Sequence, residues 1–364
     1  MAAQPIQTRL TLLFKDKGLD VTQSLLPDLL EFSYEDKETD EADEISIKLK
    51  DETGKWAGNW QPNGGEVVRA FISPGTVKSA TRTLYCGKFY VDELSVSGRP
   101  RTFEMKAVSI PLNKPIRKKL KSRAWEKKTL KGIAEAIAKE AQISLLFDSD
   151  ENPSYDRQEQ SRESDLKFLS RLCEEAGLSL KMTDEKIVIF DQASYENKTP
   201  IKTLTEGKSN ILSWDFSASQ SETYKSCTIT YRDPKKKVKG SAGSYNMDME
   251  KTNSKKENPA VFTYTYVDPL VEENGQEYTM KKRAKSKDEA MRLAKAKLRK
   301  LNARNVTGNI SVVGDVSLLA GVVIRCKGFG SFDGNFIVET ASHNISENSG
   351  YVTSISLRRV NNKY

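Results

Sequence analysis

Histidine occurs once in this chain of 364 residues, at His343. That scarcity confines histidine-based acid–base chemistry to one residue and argues against a zinc site. A serine–histidine–aspartate triad would have to use His343, which sits at the end of a strand-like run before a hairpin, with Ser342 beside it. A strand-end histidine bonded to backbone is the simpler reading. Zinc sites need clustered ligands at short spacing. The four cysteines (Cys86, Cys173, Cys227 and Cys326) lie far apart, and none forms a C-x-x-C pair. Cys86, Cys227 and Cys326 fall in strand-like runs and Cys173 in a helix-like one, so they read as buried, reduced thiols, small apolar residues of a core. There is no G-x-S-x-G elbow, P-loop, dinucleotide glycine pattern or H-E-x-x-H. No catalytic residue, cofactor or metal ligand is assigned, and the chain is expected not to be an enzyme. No apolar run approaches the roughly 20 residues of a membrane span, and Met1 to Arg9 lack the apolar core of a secretory signal. The expectation is a protein made and kept in a cytoplasm unless it is exported as part of something larger.

What is present is charge. Hydrophobic residues make up 37% and charged residues 30%, with a net charge of +8, the composition of a polar-surfaced folded chain rather than a disordered one. The length suffices for two or three domains. Basic residues concentrate at Lys114–Lys131, Lys235–Lys239 and Lys281–Arg304. None of these runs is interleaved with the aromatics on which a single-strand nucleic-acid binder stacks bases. Solvated faces, or contacts with an acidic protein partner, account for them better than nucleic acid.

Residues 1–110 read as a first small antiparallel β-barrel. Thr8, Leu10, Leu12 and Phe14 lie on an opening strand. Leu29 to Tyr34 and Glu44 to Lys50 follow, separated by an acidic loop from Glu35 to Asp43. Thr83 to Ser95 and Thr102 to Val108 are joined by a turn at Ser97-Gly98-Arg99-Pro100. Alternating apolar residues between turn residues mark half-buried strands. Trp56 and Trp60 read as core filling; a carbohydrate cleft is the sharper alternative, with no carboxylate pair aimed at it.

Residues 111–205 read as a mixed α/β insert. A basic linker, Arg117 to Lys128, leads to Thr129 and an apolar stripe of Leu130, Ile133, Ala134, Ile137, Ala138 and Ala141 at helical spacing. Leu145-Leu146-Phe147 is a short strand. Ser164 caps a second helix carrying Phe168, Leu169, Leu172 and Ala176, which Gly177 stops. Leu178, Leu180 and Met182 form a hairpin with Ile187, Val188 and Ile189. Glu163, Asp165, Glu174 and Glu175 tempt one towards an acid/base pair, but a solvated helix face is the better reading, because neighbours such as Glu174 and Glu175 cannot face one partner together.

Residues 206–364 read as a second β-barrel. It is interrupted by a polar, non-periodic loop at 233–259 that reads as a mobile arm, and by a helix over 286–303. Ser286-x-x-Glu289 is a capping box. The helix stripe is Ala290, Leu293, Ala294, Leu298 and Leu301, and its other face carries Arg292, Lys295, Arg299, Lys300 and Arg304. The one-sided charge of this basic stretch, 281–304, leads to the expectation that it lies on an inter-subunit face and meets an acidic partner there. Four strands punctuated by Gly314, Gly321, Gly334 and Gly350 close the chain. The fold class is therefore α+β, mainly β: two small antiparallel β-barrel domains with a helix-containing insert between them.

The ordered set GDVSLLAG (314–321), DGNFIVETASHNIS (333–346) and SGYVTSISL (349–357) resembles the closing region of the phage late-control protein D family, the baseplate hubs of contractile tails. Gly314, Leu318, Gly321, Gly334, Phe336, His343, Gly350 and Thr353 fill the family's places. Trp56, Trp60, Pro62, Gly65, the run Gly87 to Glu93 and Ala107-Val108-Ser109 resemble the branch from Gram-positive phages and phage-tail-like bacteriocins. ESDLKFLSRLCEEAGLSLKM (163–182) with KIVIFD (186–191) resembles the insert of the same hubs and of type VI secretion spikes. The resemblance implies two related barrels per subunit and a homotrimer presenting six barrels in a ring. It implies a tail tube above, a spike below and wedge proteins outside, in a virion or particle baseplate assembled in the host bacterial cytoplasm. The competing readings are a tail-associated cell-wall hydrolase, which would need two carboxylates, and a basic nucleic-acid-binding β-barrel.

Overall fold

The computed structural model describes residues 7–14, 19–39, 42–75, 82–110, 115–183, 186–219, 223–237, 259–269, 271, 275–284 and 286–360. The opening segment contains β1 (Gln7–Phe14), β2 (Leu19–Asp20), α1 (Thr22–Leu25), β3 (Leu29–Lys37), β4 (Glu44–Lys50), β5 (Val67–Gly75), β6 (Leu84–Ser97) and β7 (Thr102–Val108). Next come α2 (Pro115–Lys118), β8 (Lys121–Thr129), α3 (Leu130–Glu140), β9 (Ser144–Asp148), β10 (Ser154–Glu163), α4 (Asp165–Ala176), β11 (Ser179–Thr183), β12 (Lys186–Phe190) and α5 (Gln192–Glu196). The remainder holds β13 (Lys202–Thr205), β14 (Ile211–Ala218), β15 (Tyr224–Lys237), β16 (Pro259–Val267), β17 (Gln276–Ala284), α6 (Lys287–Asn302), β18 (Val306–Val313), β19 (Val323–Lys327), β20 (Gly334–Ser346) and β21 (Gly350–Arg359).

The chain divides into two units. One comprises Met1–Glu174, Leu178–Ala218 and Arg304–Asn362; the other comprises Glu175–Gly177, Ser219–Ala303 and Lys363–Tyr364. In the first unit, the strands expected to form two separate barrels instead share one open sheet. Its order is β14-β18-β21-β20-β3-β4-β7-β6-β5-β1-β2, with β19 on β20 and β13 parallel to β19. No closed barrel is found among the described residues. The cause is the antiparallel pairing of β20 with β3, from Thr340 opposite Lys37 to Ser346 opposite Glu31, which joins strands from the two ends of the sequence. The mainly β, α+β class is as expected.

Alternation sets this sheet's faces. On β4, Ile45, Ile47 and Leu49 are buried between partly exposed Ser46 and Lys48; on β21, Tyr351, Thr353, Ile355 and Leu357 are buried. One core gathers Leu10, Phe32, Ile47, Val68, Phe89 and Met105, and takes Tyr351 from the far end of the sequence. A second gathers Leu204, Ile310, Leu318, Ile324, Phe336 and Leu357.

The insert's two helices, short strand and hairpin follow the sequence pattern, and β8, β10 and α5 are additions to it. Thr129 caps α3 by accepting from the Gly132 amide, and Ser164 accepts from the Lys167 amide at 3.3 Å. Gly177 takes φ +75°, a left-handed turn that glycine adopts without a Cβ clash. β11 and β12 form the hairpin, and β9 joins β12 in parallel. The stretch read as a basic linker is instead β8, paired with β10 in a two-stranded ribbon. Its cations do not prevent a strand because acids stand beside them: Lys121 and Arg123 each reach both Glu140 and Asp165. Trp125 stacks on Phe168 at 6.3 Å.

The second unit has its own sheet, β16-β15-β17, with α6 against it. Ser286 caps α6 by accepting from the Glu289 amide. Ala290, Leu293, Ala294 and Leu298 pack on Cys227 and Ile229. β17 was not anticipated, because its lysines and arginine merged with the helix in one basic run. Of the loop expected at 233–259, residues 233–237 extend β15, Pro259 opens β16, and 238–258 lie outside the described residues.

Candidate functional site

The most concentrated chemistry lies beside the pairing of β3 with β20, where side chains of the insert reach Asp36 on β3 and Arg358 on β21. The alternation of β3 does not stop at its apolar residues: Phe32, Tyr34, Asp36 and Glu38 are all buried. The acidic loop expected from Glu35 to Asp43 is thus partly an inward-facing row. A buried carboxylate is costly unless paired, and each of these has a partner. Lys181, on β11, places Nζ 2.6 Å from Asp36 Oδ1 and 3.5 Å from Asp43 Oδ1. The Ala320 amide donates to Asp36 Oδ2 at 2.9 Å, and the Lys37 amide donates to Asp43 Oδ1 at 3.0 Å. Burial pushes the Asp43 carboxyl up to about 6, against the pull of Lys181. Burial works against the Lys181 ammonium too, but Asp36 and Asp43 outweigh it and its pKa rises.

A second buried cluster adjoins it in sequence. Arg358 on β21 pairs with Glu196 of α5 through Nη1 and with Glu339 at 3.4 Å and Glu38 at 3.5 Å. Gln192 of α5 donates to Glu38 at 3.1 Å. Burial raises the Glu38 pKa despite Arg358. One guanidinium thereby ties the insert to two strands of the large sheet.

His343 lies within β20, opposite Tyr34 on β3 and Thr353 on β21, rather than at a strand end. It is fully buried. Nε2 donates to the Leu318 carbonyl at 3.0 Å, and Nδ1 accepts from the Tyr351 hydroxyl at 2.8 Å. Tyr34 and Tyr351 stack at 5.8 and 6.0 Å. Burial lowers its pKa to about 4, so the ring is neutral near pH 7. Ser342 points to the opposite face, as successive strand residues must. The bond to backbone is as expected from the sequence; the two tyrosines were not foreseen.

The other residues weighed for chemistry are engaged in structure. Glu163 pairs with Arg171 at 2.7 Å. Asp165, expected on a solvated face, is buried and bound by Lys121, Arg123 and Gln160. Glu174 is exposed and Glu175 half-buried. Trp56 is buried and donates to Asp28 at 2.8 Å; Trp60 is 42% exposed, and Lys55 lies over both rings at 4.4 and 4.7 Å. The four cysteines are buried thiols outside any disulfide, and burial lifts the Cys326 thiol to about 12 and the Cys227 thiol to about 11, far from reactive thiolates. Among the described residues, no group of three His, Cys, Asp or Glu side chains is placed to hold a metal, and no helix is long and apolar enough to cross a membrane.

Acids and bases that hold strands and insert together define a mostly β protein whose polar interior serves cohesion. The chain belongs to the phage tail baseplate hub (GPD) family, whose sequence profile matches residues 111–349. It is 23% identical over 361 residues to the probable baseplate hub protein of Escherichia phage 186, covering 93% of this chain and 90% of the relative. Over 170 residues it is 32% identical to the corresponding protein of Escherichia phage P2, covering 45% and 41%. Its fold is similar to that of the 43 kDa tail protein of prophage MuSo2 from Shewanella oneidensis (TM-score 0.71, 13% identity, 97% and 98% covered). It is also similar to that of the E. coli type VI secretion component c3393 (TM-score 0.56, 13% identity, 93% and 75% covered).

Proposed function

We propose that this baseplate hub protein is the structural subunit that joins the tail tube to the central spike, and that its action is mechanical. In this reading it forms a homotrimer, accepts the spike below, nucleates the tube above and meets wedge proteins outside, and it is assembled in the host bacterial cytoplasm. It performs no catalysis. The observation that carries the reading is the single sheet built from both ends of the sequence, with β14, β2 and, on the branch from β20, β13 as its terminal strands. A long sheet with terminal strands presents unpaired backbone groups that an assembly covers, and a closed ring of copies covers them repeatedly about one axis. The buried ion pairs that tie the insert to this sheet suit a part that transmits load without hinging.

The test is the mass of the purified protein by light scattering, alone and mixed with its spike and tube proteins. A trimer, or a monomer that becomes trimeric on adding spike, is expected. A monomer indifferent to both would overturn the reading.

A further inference from the structure

The chain's positive charge is not spread along it. Of 58 basic and 50 acidic residues, 19 and 11 fall in 219–303, so the remainder carries 39 of each sign and is neutral. The entire surplus of +8 belongs to the stretch that makes up nearly all of the second unit. Within the basic run at Lys114–Lys131, Lys121 and Arg123 pair with Glu140 and Asp165.

On α6 the surplus has a shape. One side packs Ala290, Leu293, Ala294 and Leu298 onto the sheet. Lys287, Lys295 and Lys300 are exposed, Arg292 and Arg299 are half-buried, and the acids Asp288 and Glu289 are confined to the first turn, where they suit the helix dipole. Met291 lies among these cations with 46% of its surface exposed.

We infer that this α6 face is a docking surface for an acidic protein that is not a second copy of this chain. Three observations select that occupant. A balanced remainder, 39 against 39, offers no acidic surplus for the face to meet in another copy. The exposed Met291, with Arg292 and Arg299 on the same helix, supplies residue types that are enriched at protein interfaces. Among the described residues of the unit, Tyr224, Tyr231, Tyr264, Tyr266 and Tyr278 are partly buried and pack against the core beneath the helix, so these five do not form an outward platform on which bases would stack. The partner presents carboxylates around an apolar contact for Met291. Association is electrostatically steered and weakens with salt. The inference stands apart from the tube–spike reading, because it concerns one helix face and needs no tail component to be tested.

The experiment uses the full chain with three labelled probes of equal charge: poly-glutamate, a glutamate–tyrosine copolymer and a DNA duplex. Binding is followed by fluorescence anisotropy at low and physiological salt. The copolymer is expected to bind tightest, and the triple variant Lys287→Glu, Lys295→Glu, Lys300→Glu to lose at least tenfold in affinity. Met291→Ser is expected to weaken the copolymer at least threefold and leave poly-glutamate unchanged. Circular dichroism checks the fold; should the triple variant not fold, Lys295→Gln alone is expected to lose about twofold. DNA binding tighter than the copolymer would overturn the inference in favour of a nucleic-acid surface. Copolymer affinity indifferent to these substitutions would overturn it outright. Either failure leaves the trimer measurement untouched.

Discussion

Lys181 and Asp36 stand 145 residues apart in sequence and 2.6 Å apart in space, both withdrawn from solvent. The contact binds a strand of the insert to the strand on which the large sheet is joined. Lys181→Met removes the cation and leaves Asp36 and Asp43 buried without it. Loss of one partner of a buried pair costs about 3–5 kcal/mol, read as a fall in the urea midpoint. Adding Asp36→Asn is expected to restore much of the loss, because the Ala320 amide keeps an acceptor. A single variant as stable as the parent would refute the account.

Arg358 makes the parallel case through α5. Arg358→Met strands Glu38, Glu196 and Glu339 together. A loss of about 3–5 kcal/mol is expected, together with faster protease cleavage around 191–201, since α5 loses its anchor. Cleavage no faster than in the parent would show that α5 is held by other contacts.

Two buried groups pull the pH dependence of stability in opposite directions. Asp43 titrates at about 6 in the fold against an ordinary 3.8. Between those values the folded state holds the proton and the unfolded chain does not, so this group's stabilisation is present below 3.8 and is lost as pH rises to 6. His343 titrates at about 4 against 6.5, so its contribution is present above 6.5 and is lost as pH falls to 4. Asp43→Asn is therefore expected to unmask a stability that rises steadily between pH 4 and 6.5. His343→Gln is expected to unmask one that falls between pH 4 and 6. Urea unfolding across that range measures both slopes; the same slope in both variants would contradict the assignment.

Gly314 is tested by adding a methyl group. A Cβ there would lie 2.0 Å from Tyr351 Cδ1. Overpacking usually costs about 1–3 kcal/mol, and Gly314→Ala is expected at or above the top of that range because the ring is pinned by its bond to His343. In a Tyr351→Ala background the same change should cost little, a coupling that a double-mutant cycle reads directly.

Where period and punctuation are local, the reading from residues matches the structure. The stripes of α3 and α4, the caps at Thr129, Ser164 and Ser286, and the hairpin at 179–190 follow from neighbours within a turn or two. The junction was less legible. Asp36 and Glu38 continue the inward alternation of Phe32 and Tyr34, and that signal was available in the sequence. A loop is nevertheless the natural reading of acids until Lys181 and Arg358, far along the chain, are known to face them. The single sheet was hidden for the same reason, since the pairing of β3 with β20 depends on no local pattern. β8 was hidden by its cations, of which Lys121 and Arg123 find acidic partners on α3 and α4.

The pairing of β3 with β20 also sets a timetable. Roughly 300 residues separate the two strands, so at ~5–20 residues per second β3 emerges roughly 15–60 s before its neighbour. Through that interval β3 has β4 as a pairing partner but not β20. Contacts of such separation form late and slowly. A chain halted short of residue 346 exposes an adhesive flank and lacks Tyr351, which fills the earlier core. Incomplete translation products are thus marked by their own surface, and a cell's chaperones and proteases can sort them from finished subunits before any enters a particle.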